Sequence, residues 1–216
     1  MKRLLPLAAL LLAAGCNNAV SPVAPPMASN NSSGTIAEPS AAAKAGNIEL
    51  NDENTKVTFV GTKPGGKHEG GFKKVEGTVK IIVLSPGMQL PADAAKIGSI
   101  NVEIDTDSLS ADDPTLTAHL KSPDFFDVKQ FPKATFKSTK ITGEPGKNED
   151  ATVVGDLTLH GVTKSITFPI HFNMDTWPIV LTSSFKINRK DFGMIFGEGK
   201  VDNEVTINVA VGKPAQ

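Results

Sequence analysis

A chain of 216 residues that is 39% hydrophobic has the length for one domain, or at most two small ones, and the material for one good core. A formal net charge of −1, with 22 basic residues that form pairs such as Lys73-Lys74 and Arg189-Lys190 but no run, lacks the electrostatic footprint of a nucleic-acid partner. With 11 Phe, one Trp and no Tyr, the aromatic content is almost wholly apolar.

Lys2 and Arg3 precede an apolar stretch, Leu4 to Ala14, that is too short to span a bilayer and reads as an export signal over residues 1–15. It ends in Leu11-Leu12-Ala13-Ala14-Gly15-Cys16. Small residues directly before a cysteine resemble the bacterial lipobox, in which that cysteine is lipidated and becomes the new N-terminus; Ala13 stands where Leu is commonest. The alternative is ordinary cleavage near Gly15 or Ala19, leaving a soluble protein. Cys16 is the only cysteine, so no intramolecular disulfide can form, and acylation is the role expected of it. Several acyl chains, at about 0.8 kcal/mol per buried CH₂, make a stable anchor. Asn17, rather than Asp, follows it and resembles an outer-membrane sorting pattern. The expectation is export to a bacterial cell envelope and lipid anchoring at the periplasmic side of a membrane.

Residues 16–46 are the lipidated cysteine and a linker of Ala, Pro, Ser and Asn with almost no large apolar side chain. Such a stretch cannot bury enough surface to offset its ordering entropy, which predicts a disordered tether reaching roughly 30 Å. The folded domain is expected over 47–212. Val57 and Phe59 open a first strand, and Gly61 to Lys67 reads as a turn or loop. Phe72, Val75, Val79 and Ile81 follow, then Ile100, Val102 and Ile104 in clean alternation. Asp112 and Asp113 are good N-cap residues, Pro114 suits a first helical position, and Leu116 and Leu120 share a face, so a short helical segment is predicted near 113–127. Strands follow over Ala134 to Ile141, Val153 to Leu159, Ile166 to Phe172, Ile179 to Ile187 and Val205 to Val211. Their alternation means one face buried and one wet, hence antiparallel pairing. About eight strands with hairpin-scale connections suit a single all-β barrel just wide enough for side chains or one small ligand, although a sandwich satisfies the same pattern.

Four stretches carry a resemblance. His119-Leu120-Lys121-Ser122-Pro123-Asp124-Phe125-Phe126-Asp127 runs on to Gln130-Phe131-Pro132-Lys133-Ala134-Thr135-Phe136; Gly70-Gly71-Phe72 precedes it, and Gly155-Asp156-Leu157-Thr158-Leu159-His160-Gly161-Val162-Thr163-Lys164 and Arg189-Lys190-Asp191-Phe192-Gly193 follow. In this order they resemble the YceI-like domain, a bacterial polyisoprenoid-binding family with a lipocalin-like barrel. The lipobox-like cysteine, the long linker and a polar first loop at Thr62 to His68 depart from the usual member. The resemblance implies an antiparallel lipocalin-like barrel enclosing an apolar prenyl chain, with no catalysis, no catalytic residues and no metal. The implied partner is a long-chain isoprenoid lipid, such as a polyisoprenoid or an isoprenoid quinone, and the implied lining is Phe59, Phe72, Phe136, Leu157, Leu159, Phe168 and Phe172, with Phe125 and Phe126 from the helical segment. The same residues equally suit a filled core, which would make the domain a structural or interaction module of the envelope.

Other chemistry finds little footing. The four histidines, His68, His119, His160 and His171, have no second ligand at a metal-binding spacing, and His160 beside Gly161 reads as a turn residue with a backbone hydrogen bond. Arg189 and Asp191 suggest an ion pair pinning the last hairpin. There is no Gly-x-Ser-x-Gly elbow and no glycine-rich phosphate loop. An enzyme acting on a lipid or hydroperoxide would need inward-facing titratable residues that the pattern does not supply.

Overall fold

In a computed structural model of the chain, residues 46–83, 95–143, 150–173 and 179–212 are described. The chain divides into units Met1–Pro39 and Ser40–Gln216, and every described residue belongs to the second. The expected signal, Cys16 and most of the linker lie outside the described residues.

The domain is an eleven-stranded antiparallel sheet: β1 Gly46–Leu50, β2 Thr55–Lys63, β3 Gly66–Phe72, β4 Val75–Val83, β5 Ala95–Asp105, β6 Leu109–Ala111, β7 Lys133–Thr142, β8 Asp150–Leu159, β9 Val162–Asn173, β10 Val180–Asn188 and β11 Glu204–Val211. The neighbours run β1-β4-β5-β7-β8-β9-β10-β11-β2-β3-β6. The chain itself joins the two ends of this ladder. β1 turns into β2 through residues 51–54, β3 bends into β4 across Lys73 and Lys74, and β5 bends into β6 through the 3-10 turn Thr106–Ser108. Three such short links between opposite ends force the sheet to curl into a barrel. Ser108 fixes the bend: its Oγ accepts from Lys73 N (3.1 Å) and Lys74 N (3.0 Å) and donates to Asp105 O (2.6 Å).

The all-β barrel agrees with the sequence reading, with eleven strands where about eight were expected. Three of the differences are short or glycine-rich. β1 and β6 have five and three residues, and β2 and β3 together take all but Pro64 and Gly65 of the stretch Gly61 to Lys67 expected as a loop. The β2–β3 connection is only Pro64-Gly65, with Gly65 at φ 81°, because Pro fixes the first turn position and Gly tolerates the second. The helix is also shorter than 113–127. Helix α1 spans Pro114–Leu120, with Asp113 Oδ1 accepting from Leu116 N at 2.8 Å as N-cap. Ser122 Oγ then donates to His119 O, and Pro123 cannot supply the next helical donor, so the chain continues as turns to Phe131.

Two apolar clusters occupy the inner face of the barrel. One gathers Val79, Ile100, Val153, Ile170, Leu181 and Val211; the other gathers Ala134, Leu159, Ile187, Phe192 and Met194. Half-buried Ile166 and Phe185 pack against both.

Candidate functional site

The barrel is not packed to its axis. A cavity of about 220 Å³ runs from Leu50, Val79 and Val211 to Leu120, Met194 and Val201 at the end that carries α1. Its exposed wall is apolar throughout. Polar side chains that border it are turned to other partners: Ser183 Oγ donates to Pro169 O (2.5 Å) and Thr55 Oγ1 donates to Asn54 Oδ1 (2.7 Å).

Eight of the nine expected lining residues border this cavity: Phe59, Phe72, Phe125, Phe126, Phe136, Leu157, Leu159 and Phe168. Phe172 does not. It shares the inward face with Phe168 but lies farther along the strand, buried in the first core cluster. Phe185, Ile187 and Met194 also border the cavity and were not singled out from sequence. Phe185 had a signal, since it alternates with Ile187; Met194 sits in an irregular loop and had none.

The rings form two groups. On the α1 side, Phe72 lies 6.0 Å from Phe59 and edge-on to Phe126 at 5.7 Å. On the far wall, Phe168 lies 5.2 Å from Phe136 and stacks on Phe185 at 4.3 Å with 14° between planes. Two glycines make room for this. A Cβ at Gly70 would fall 2.3 Å from Phe59 Cζ, and one at Gly155 would fall 2.4 Å from Phe136 Cζ. Each ring therefore lies across a neighbouring strand where only a glycine leaves space.

At the α1 end, Phe125 is buried and meets Phe196 at 5.5 Å and His119 at 5.1 Å. His119 Nε2 donates to Asp124 Oδ2 at 2.8 Å. Asp112 ties this end to the sheet. It accepts from Glu69 N at 3.1 Å and from His68 Nδ1 at 3.0 Å, while Lys63 Nζ donates to His68 Nε2 at 3.0 Å. The Glu69 N–H, followed by the His68 ring, holds the Asp112 carboxyl below its ordinary value.

Arg189 corrects an expectation. It is buried at 3% exposure, and its guanidinium donates to backbone carbonyls, Met194 O (2.6 Å), Phe196 O (2.7 Å), Asp202 O (3.1 Å) and Val201 O (3.3 Å), rather than pairing with Asp191. Burial pulls its pKa below the usual value. Its work is to fold the 193–203 loop across the barrel end. The neighbouring 3-10 turn Arg189–Phe192 buries Phe192, whose carbonyl accepts from His160 Nδ1 at 3.1 Å. His160 (φ 50°) and Gly161 (φ 72°) form the two-residue turn between β8 and β9, as their order suggested, and Phe131 packs on the His160 ring at 4.7 Å. Stretches far apart in sequence thus meet at one barrel end. Among the described residues no three His, Cys, Asp or Glu side chains converge as a metal site would require.

The sequence matches the YceI-like domain family over residues 48–212. A UPF0312 protein of Pseudomonas putida (strain W619) is 37% identical over 127 residues, 55% of this chain; the chain spans 65% of that relative's length. A UPF0312 protein of Pseudomonas syringae pv. syringae (strain B728a) is 35% identical over 147 residues, covering 65% of this chain and 70% of its own. Among solved structures, BcnA of Burkholderia cenocepacia has a TM-score of 0.61 at 28% identity, covering 73% of this chain and 94% of that one. A polyisoprenoid binding domain from Saccharophagus degradans has a TM-score of 0.56 and covers 80% of this chain and all of that one; at 15% identity the likeness is one of fold.

Proposed function

The chain belongs to the YceI-like family, and on that footing we propose that it binds a long apolar chain of the isoprenoid class in its barrel and carries or sequesters it in a bacterial envelope, without catalysis. The observation that carries this reading is the cavity with its wholly apolar wall. Such a wall offers nothing to a headgroup and removes hydrocarbon from water, at about 0.8 kcal/mol per buried CH₂ before the freedom lost on binding is subtracted. Any polar end of the ligand stays outside, at the α1 end, where His119, Asp124 and Lys121 supply polar groups. The polyisoprenoid named for the Saccharophagus degradans domain is the same ligand class on the same fold.

The reading extends to residues 1–46: an export signal, lipidation at Cys16, and a tether that lets the barrel meet lipids of the membrane that anchors it. Mass spectrometry of an organic extract from protein purified without detergent tests the binding. A prenyl lipid or isoprenoid quinone in stoichiometric amount is expected, and repeated absence of both would contradict it.

A further inference from the structure

At the α1 end the barrel holds apolar side chains in water. Among the described residues, Ile195 and Phe196 are the large apolar side chains left exposed, at 66% and 44%. The fold keeps them there. Arg189 Nη1 donates both to Met194 O (2.6 Å) and to Phe196 O (2.7 Å), so the carbonyls of the residues on either side of Ile195 are drawn to one buried cation. Ile195 N donates to Gly193 O at 3.1 Å, and Lys200 N and Val201 N both donate to Gly197 O at 2.9 Å. Gly197, at φ 71°, makes the return turn behind the tip. Met194 is buried in the second core cluster while its neighbour Ile195 stands in solvent. A cation is thus taken out of water to hold an isoleucine in it.

Two features identify what meets this tip. One is an apolar path inward. The Phe196 ring meets the buried Phe125 ring at 5.5 Å, and Phe125 borders the cavity, as do Met194 and Val201 from the two arms of the loop. The other is charge. Residues 189–203 carry Arg189, Lys190 and Lys200 against Asp191, Glu198 and Asp202, three basic against three acidic. Lys190 pairs with Glu198, and His119, on which Phe196 packs at 4.9 Å, is hydrogen-bonded to Asp124. A partner selected by charge finds no net field here. Two apolar side chains on a fixed turn, rimmed by paired polar groups, suit hydrocarbon lying behind a headgroup layer.

We propose that the Ile195–Phe196 tip is a bilayer-docking site, which inserts into the surface of a phospholipid membrane and sets the cavity beside the hydrocarbon from which its occupant comes. Docking requires only the tip; its use in loading the cavity rests on the isoprenoid reading. With two inserting side chains the contact is shallow and reversible, and because it is apolar it does not weaken as salt screens charge.

The test uses full-length protein carrying Cys16→Ser, which removes the native thiol and any acyl anchor on it. A fluorophore is placed on one new cysteine, either Lys200→Cys beside the tip or Glu53→Cys in the exposed turn between β1 and β2, at the opposite ends of β2 and β11. Vesicles of phosphatidylethanolamine and phosphatidylglycerol carry a fraction of headgroup-nitroxide lipid as quencher. The label at 200 is expected to be quenched at least threefold more than the label at 53, equally in low and high salt, and Ile195→Asp should abolish the difference. Ile195 does not border the cavity. Ile195→Asp should therefore slow delivery of geranylgeraniol from the same vesicles at least fivefold, while affinity for geranylgeraniol added without membranes changes less than twofold. Equal quenching at the two positions, or quenching at 200 that survives Ile195→Asp, would overturn the docking site. A dimer in sedimentation that Ile195→Asp returns to monomer, with no quenching at 200, would give the tip to a second copy and overturn it as well. Unchanged delivery by Ile195→Asp would overturn the role in loading. If quenching is as expected and neither protein binds geranylgeraniol, the isoprenoid reading falls and the docking site stands.

Discussion

Gly155 shows how a single residue shapes the cavity wall. Its missing Cβ lets the Phe136 ring lie across β8, and a methyl there would also come within 2.6 Å of Lys137 O. Backbone cannot yield as a side-chain tip can, so Gly155→Ala should cost about 2 kcal/mol as an overpacking substitution. Urea unfolding measures this, and a change near zero would show that the ring has another place to go. The glycine-phenylalanine pairing was partly legible, because glycines inside strands mark close approach. Arg189 was not. Beside Asp191 it has the local look of an ion pair, whereas its partners are carbonyls of a loop whose path no periodicity encodes. A buried cation is satisfied here by geometry that only the folded chain supplies.

At the level of elements, the α1 segment is the clearest case of physics written in sequence. Asp113 caps the helix and Pro114 opens it. With seven residues the helix is too short to stand alone and depends on its anchors. One anchor is pH-dependent. The folded Asp112 carboxyl titrates below its unfolded value of about 3.9, so its contribution is complete above that value and is lost as pH falls through the lower, folded one. The Glu69 amide resonance should therefore carry a component that moves only below the ordinary aspartate range. In Asp112→Asn that component should vanish; its survival, or a component lost in the variant whose midpoint lies at or above the ordinary value, would contradict the assignment. β1, β3 and β6 were harder to read. Short edge pieces carry too few residues to show a period, and β3, GKHEGGF, mixes glycines with polar residues and reads as loop by composition.

For the whole molecule, alternation in the long strands was enough to give an antiparallel all-β fold with one face of each strand buried, but it fits a sandwich as well as a barrel, and the barrel was implied by the family resemblance. It was not enough to give the cavity. Strand parity tells inward from outward but not which layer of the interior a side chain reaches. Phe168 and Phe172 share one face of β9 and one core cluster, yet the first borders the cavity and the second does not. What unites these scales is a barrel whose rings line a space instead of filling it. The most direct measurement is the binding of geranylgeraniol to the protein and to Ile207→Trp, which puts a larger side chain into that space from the cavity wall. With folding of both checked by circular dichroism, saturable binding by the first and at least tenfold weaker binding by the second is the predicted result. Equal binding by both would contradict an internal site, and the cavity would then be only a gap in a structural core.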